Sequence, residues 1–525
     1  MIVAGQSRHK SRQRARDATL GRRTGVQIAG AAGLLCLAIS AQAQAQAQVA
    51  SGRSTSASAS VDTALIYSDV QRPQSPTTGR DLAVSVRPAV QFASRAGRIR
   101  GSLSYSLELI RHTRDTDPSE ARNTLNAAFV TELIEGRAFV DTQATISQGS
   151  ISAFGTQSTA ASVTDNTNRT EVGTVSIAPY VKGAMGSVAT YEVRLYANGT
   201  NTRRSTAGDS VTTGGSLALN SASSNAMIGW GLQASQQTVD FRAGQTAHTD
   251  RMVATLSFRP DPEISLALRA GREGNDVTSD GRTASTTSGG TLRWTPTERT
   301  VAELSADKRY FGRSHRLTLS HRLARSSFIF TSTRDTTNSS DPTGVGRPVT
   351  LYQVLFNQFA SLAPDPVQRE QFVLDFIRIT GQDPNTVVAG GFLNAAVSLQ
   401  QRQDLSWNYT GLRTTLTVQA FTSSSTVLTL ANQQAAQEPV RQSGYNVSTS
   451  YRLTPTASLS LTGSRLAAFA TRTQPGTTLK SVSLSWTDQL GRRTSTSAGL
   501  RYSTFNSALD PYRELAATVS FSLRF

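Results

Sequence analysis

The sequence predicts an all-β fold: a transmembrane, antiparallel outer-membrane β-barrel of about 22 strands (range 18–22), with a small helical insertion that serves as loop or plug. Three observations predict it. Apolar and polar residues alternate with period two over many runs of roughly 9–14 residues, as in strands with one greasy and one wet face. Short turn-like links and long polar stretches alternate between those runs, which is the asymmetry of a membrane barrel. No run approaches the roughly 20 apolar residues of a helical span. The apolar fraction is 38%, low for a densely packed soluble core.

The first element is an export signal. Seven basic residues and Asp17 precede an apolar core, "GVQIAGAAGLLCLAIS", which runs into "AQAQAQAQVA". A basic n-region, an apolar stretch of about 15 residues and small-x-small cleavage choices make residues 1–43 a signal peptide, cut after Ala43, with Ala45 and Ala47 as alternatives. The sole cysteine, Cys36, lies in that apolar core, so the barrel chain 44–525 has neither disulfide nor thiol site. The whole chain carries +17, with four Lys and 49 Arg. Lipid headgroups, acidic polysaccharide and nucleic acid all attract such charge. The barrel pattern favours the first two, and no nucleic-acid partner is expected.

Strands follow in order. "LAVSVRPAVQF" sets Leu82, Val84, Val86, Val90 and Phe92 against Ser85, Arg87 and Gln91. "EISLALRA" opposes Ile264, Leu266 and Leu268 to Ser265 and Arg269. Val482, Leu484 and Trp486 alternate with serines. Short links stand at 259–263, 295–299, 408–411, 454–457 and 489–492, and long polar stretches at 113–121, 150–169, 201–220, 275–285 and 425–440. An arginine facing lipid near the midplane costs about 2–4 kcal/mol. Arg269, Arg293, Arg309, Arg316 and Arg322 all fall on the polar set of their strands, so the polar face is the lumen.

One segment breaks the rhythm. Leu351, Val354, Leu355, Phe359 and Leu362 recur at helical spacing, and Asp365, Pro366 and Gly381 supply helix start and stop signals. Residues 341–392 are therefore expected as a helical insertion, folded into the lumen or capping the outer mouth.

Nothing in the pattern points to catalysis. The histidines outside the signal peptide are His112, His248, His315 and His321, none at metal-ligand spacing with another, and no HExxH, P-loop, GxSxG or dinucleotide fingerprint occurs. "AHTDR" at 247–251 is expected in an outer loop, and His321 at the membrane interface. No enzyme, cofactor or metal is expected. The charged set Arg269, Arg293, Glu303, Asp307, Arg309, Arg316 and Arg322 should face the lumen from neighbouring strands. It suits either an anion-guiding wall or a ladder of ion pairs that braces the barrel.

The same stretch resembles a known family, the outer-membrane β-barrel proteins associated with PEP-CTERM/exosortase systems. The matching residues are "WTPTERT" (Trp294, Pro296, Thr297, Arg299, Thr300), "RYFG" (Arg309, Tyr310, Phe311, Gly312) and "LSHR" (His321, Arg322). The resemblance implies a Gram-negative cell that sorts proteins to its surface and makes exopolysaccharide, with the barrel passing or anchoring polymer. It implies no catalytic residue. A general diffusion porin, with the helical insertion as constriction, and a non-conducting display barrel are the alternatives.

The last run, "ELAATVSFSLRF", alternates from Glu514 to Phe525. Phe525 is the expected assembly signal for the barrel-assembly machinery. The other expected partners are outer-membrane lipid with its lipopolysaccharide, and exopolysaccharide with its export proteins.

Overall fold

Strands with one apolar and one polar edge must hide their apolar face in lipid or in a second layer, and in lipid every backbone group has to be paired. The computed structural model describes residues 55–73, 79–95, 97–113, 119–164, 166–222, 227–277, 281–337, 391–428 and 438–525, with isolated positions between 349 and 389. It resolves the constraint with one sheet of 22 strands that closes on itself.

The wall begins with β1 (Thr55–Gln71), β2 (Gly79–Ser94), β3 (Ile99–His112), β4 (Glu120–Ile134) and β5 (Ala138–Ser150). It continues through β6 (Arg169–Met185), β7 (Ala189–Thr202), β8 (Ser210–Ser221), β9 (Ile228–Phe241) and β10 (Ala247–Asp261). Then come β11 (Ile264–Asn275), β12 (Thr283–Thr297), β13 (Thr300–Arg309), β14 (Gly312–Arg322) and β15 (Ser326–Thr337). A small antiparallel ribbon, β16 (Val349–Thr350) with β17 (Val387–Ala389), sits in the next connection, and β17 lies against two later wall strands. The wall resumes with β18 (Ser398–Thr410), β19 (Thr414–Val427), β20 (Val440–Arg452) and β21 (Ala457–Ala468). It ends with β22 (Thr477–Asp488), β23 (Thr494–Asn506) and β24 (Tyr512–Arg524).

Each wall strand pairs antiparallel with its chain neighbour, and β1 also pairs with β24, from Ser60↔Arg524 to Gln71↔Arg513. Closure leaves no edge. Phe525 extends the seam by one bond, its N–H donating to the Ala59 carbonyl at 2.8 Å.

The faces divide as the cost of charge in lipid requires. Leu65, Leu256, Leu268, Val482, Leu484 and Val519 point outward and are exposed. Ser85, Thr174, Gln419, Asn446 and Ser460 point inward. All four tryptophans, Trp230, Trp294, Trp407 and Trp486, occupy outward positions close to the short-turn rim, where amphipathic rings suit a membrane interface. At the other rim one outward row reads Arg465↔Lys480, Lys480↔Thr504, Thr504↔Arg513.

Short turns at 135–137, 262–263, 298–299, 323–325 and 411–413 share one rim, and the connections 151–168, 276–282 and 428–439 share the other. Short turns mark the periplasmic side and long loops the outside. Arg309-Tyr310-Phe311-Gly312 is the exception outside, a two-residue turn closed by Gly312 at φ +106°, a region that favours glycine.

Three expectations change. The polar stretch 201–220 is a loop only over 203–209, because β8 begins at Ser210. The "AHTDR" run is not a loop: it opens β10, and His248 Nδ1 meets Asp276 at 2.7 Å. The small helical plug is not supported. Tyr352, Leu355, Phe356, Arg369 and Val373 are helical, with the Arg369 guanidinium 4.9 Å from the Phe356 ring. Most of 341–392 lies outside the described residues, as do the signal peptide and its cleavage choices.

Candidate functional site: two arcs and an inward loop

From β10 to β15 the lumenal positions carry charge. Arg269 on β11 reaches Asp307 on β13 at 3.1 Å and donates to the Ser305 hydroxyl at 3.0 Å. Arg309 sits at the end of β13, where its Nε donates to both Glu273 oxygens at 3.1 Å and a terminal nitrogen to Asp335 at 3.0 Å. Its guanidinium also lies 5.2 Å from the Phe311 ring. Glu273 is 1% exposed, so its charge depends on this fork. Arg293 and Glu303 make a looser, solvent-exposed pair at 3.6 Å.

Five of the seven residues expected in the lumen are therefore brought together as ion pairs. Arg316 and Arg322 are not. Both lie on inward positions of β14, and among the described residues neither side chain makes an ion pair. Sequence reasoning missed Glu273 and Asp335. Both hold inward positions on β11 and β15, but 36 and 26 residues separate them from Arg309. Only the register of the sheet shows that they converge. Ion pairs bridge the rest of the wall as well, Asp62–Arg87 at 3.2 Å, Asp141–Arg194 at 2.6 Å and Glu514–Arg501 at 2.8 Å.

The family-like motif residues build the two ends of one β13 hairpin unit. At the short-turn rim the Thr297 hydroxyl donates to Thr300 at 3.0 Å and accepts from the Arg299 N–H at 3.3 Å. Thr300 lies 2.9 Å from His321 Nδ1, and the Arg322 N–H donates to the Arg299 carbonyl at 2.9 Å. Trp294 faces lipid beside them and Pro296 precedes the turn. At the other end Tyr310 and Phe311 meet edge to face at 5.1 Å. Burial pushes the Tyr310 hydroxyl up to about 12. These contacts are structural: they set the turn geometry on which the charge ladder hangs.

From β19 to β22 the lumenal wall is different. Its inward positions between the rims include Thr417, Gln419, Asn446, Ser448, Thr462 and Ser481, and none of them is charged. Neighbouring hydroxyls join across strands, as Ser448 with Thr462 at 3.0 Å and Ser464 with Ser481 at 2.8 Å. Gln419 and Asn446 are directly paired across the sheet, and the amide atoms of both are buried without a hydrogen-bond partner.

The connection 151–168 leaves β5 and folds inward. Tyr512 on β24 donates its hydroxyl proton to the Gln157 carbonyl at 2.7 Å, and Ser162 donates to Glu514 at 3.1 Å. Thr156 donates to Asp510 at 2.9 Å, and Thr477 on β22 lies 3.4 Å from the Ala153 carbonyl. Arg122 on β4 donates to the Ser162 carbonyl at 3.0 Å, while Val163 packs with Ile66, Ala83 and Ile110. The loop thus spans from β5 to the far side of the β1–β24 seam.

A second strap crosses opposite. Leu393, just before β18, donates its N–H to the Ser150 carbonyl of β5 at 3.2 Å, half-way round the wall. A Cβ on Gly208 would stand 2.8 Å from the Leu393 side chain, and one on Gly244 would collide with the Ala395 carbonyl. Two loop glycines thus allow the strap its close approach. The long-loop mouth is bridged from two directions.

No protein-family model matches the chain, and no curated protein matches its sequence. Among solved structures it is similar to the siderophore receptor PirA from Pseudomonas aeruginosa, with 11% identity and TM-score 0.43 over 91% of this chain and 81% of that one. It is similar to the FrpB iron transporter from Neisseria meningitidis (F5-1 variant), with 12% identity and TM-score 0.44 over 89% and 82%. Pseudomonas aeruginosa OccK3 (OpdO) gives 10% identity and TM-score 0.31 over 89% and 96%. Likenesses this distant carry no argument about cargo. Closure, lipid-facing apolar positions and sorted loops make the chain an outer-membrane β-barrel.

Proposed function

We propose that this barrel is an outer-membrane transporter of hydroxyl-rich, carbohydrate-type molecules, narrowed by loop 151–168 and the 391–397 strap. The observation that carries it is the uncharged wall from β19 to β22, whose Ser, Thr, Asn and Gln side chains offer donors and acceptors without fixed charge. Elsewhere most inward charges cancel in pairs, with Arg316 and Arg322 on β14 as exceptions. The finer form of the proposal is export or anchoring of exopolysaccharide, supported by the resemblance of "WTPTERT" and "RYFG" to the PEP-CTERM-associated barrels.

A clean deletion strain tests the finer form. Polymer lost from the medium and retained in the periplasm is the expected result; unchanged polymer overturns it and leaves a porin for small sugars. Single-channel recording tests the coarser form. The intact barrel should conduct weakly, and replacing 153–164 by a short Gly-Ser link should raise conductance several-fold. A barrel silent in both forms is a display protein, the reading that the double bridging of the mouth favours. Entry into the membrane is assigned to the barrel-assembly machinery reading the final strand. Phe525→Ala is expected to lower the amount of heat-modifiable barrel, and undiminished amounts would remove that role.

A further inference from the structure

The short-turn rim is not evenly charged. On its β4 to β13 side the turns mix signs, with Glu135 beside Arg137, Glu263 after Arg259, and Glu298 beside Arg299. From β14 to β24 they do not. The turns 323–325, 411–413, 453–456 and 489–493 contain no acid, while Arg325, Arg413, Arg492 and Arg493 stand in them; the adjoining strand ends carry Arg322, Arg452 and Arg524 against one acid, Asp488.

Backbone bonds sew this arc together. The Arg452 N–H donates to the Arg413 carbonyl at 2.7 Å, the Gln489 N–H to Thr456 at 3.1 Å, and the Arg524 N–H to Arg493 at 2.8 Å. Between them lies a cleft of about 280 Å³ whose walls include Arg452, Arg492, Arg493 and Arg524, with Thr456 and Ser458 supplying hydroxyls. No carboxylate lines it. Among the described residues, Arg452, Arg492 and Arg493 make no ion pair. Guanidinium groups stay cationic and fork onto carboxylates and phosphates. The three without an ion pair, Arg452, Arg492 and Arg493, repel each other around one cleft unless an anion joins them.

We infer that this cleft is a docking site for an acidic glycan, a polymer with carboxylate or ester-phosphate groups, presented from the periplasm. Position selects a glycan over other polyanions, because Ser458, at the cleft's edge, begins the β21 side of the uncharged wall. A chain whose acid groups rest on the arginines places its hydroxyls at the mouth of that wall. The route taken after binding rests on the transport reading above; the binding does not.

The test uses the full-length barrel in nanodiscs, with a galacturonic acid hexamer as probe and maltohexaose as its neutral counterpart. Isothermal titration should show salt-sensitive binding of the acidic hexamer, weakened at least tenfold in Arg452→Gln/Arg492→Gln/Arg493→Gln. Weak binding of maltohexaose should not change with the substitutions. Unchanged binding of the acidic hexamer by the triple variant, with heat-modifiability intact, overturns the site. A glutamate hexamer that binds more tightly than the acidic sugar overturns the glycan assignment in favour of an acidic segment of a periplasmic protein. If the triple variant does not assemble, Arg492→Gln and Arg493→Gln, both in a turn, are tested singly, and threefold losses in each are the supporting result. A barrel that binds the hexamer but never conducts sinks the transport reading while leaving this site in place.

Discussion

Two arcs of the same lumenal wall solve the same problem in opposite ways. From β10 to β15 inward charges are present and most are paired, down to Glu273 beneath the Arg309 fork. From β19 to β22 inward charge is absent between the rims, and Gln419 and Asn446 face each other with unpartnered amides. A paired charge fixes geometry, because removing one member strands the other. A neutral amide or hydroxyl tolerates replacement and can bond to a hydroxyl brought against it. The first arc is built for shape and the second for contact.

That contrast can be broken most directly at Arg309. Arg309→Leu leaves Glu273 buried and unpaired, and the loss should be about 3–5 kcal/mol, read as a lower urea midpoint in lipid vesicles. A change below 1 kcal/mol would deny the charged arc its structural role. Next in size is the inward loop 151–168, which bridges β5 to β22 and β24. Ser162→Ala and Tyr512→Phe each remove one hydrogen bond, about 1 kcal/mol of docking apiece, so the double variant should flicker to higher conductance while its unfolding midpoint moves little. In the neutral arc, Asn446→Leu should shift stability by no more than about 1 kcal/mol in either direction. A loss as large as that at Arg309 would erase the distinction between the arcs. Smallest at neutral pH is Tyr310→Phe. Burial keeps Tyr310 protonated to about 12, against an ordinary value of 10. Between those values the folded chain holds a proton the unfolded chain has lost, so stability falls as pH rises through the window. The phenylalanine variant should lack that alkaline fall.

Much of the wall was legible in the sequence, for a physical reason. Lipid penalises polar groups on every outward position, so alternation survives in "LAVSVRPAVQF" and "EISLALRA", and the strand count follows. Legibility failed where that pressure weakens. β8, "SVTTGGSLALNS", sets Thr213, Gly215 and only three large apolar side chains on its outward positions, so it resembled a loop until its pairing with β7 and β9 was seen. The lumenal charge set was legible as a face but not as pairs, since Arg309 finds Glu273 through register alone. Loop 151–168 was legible as polar and long. Its inward fold was not, because its anchors Asp510, Tyr512 and Glu514 lie more than 350 residues further on.

The position of those anchors matters beyond narrowing the mouth. A hoop fails first at its join, and here the join is the place where β1 meets β24. Loop 151–168 lies across the inside of that join like a splint: Val163 grips Ile66 on one side, while Ser162 and Gln157 hold Glu514 and Tyr512 on the other. Prising the hoop apart there would have to strip the splint as well as the strand ladder. Opening the wall sideways into the bilayer at this join therefore costs more than the strand ladder alone would ask.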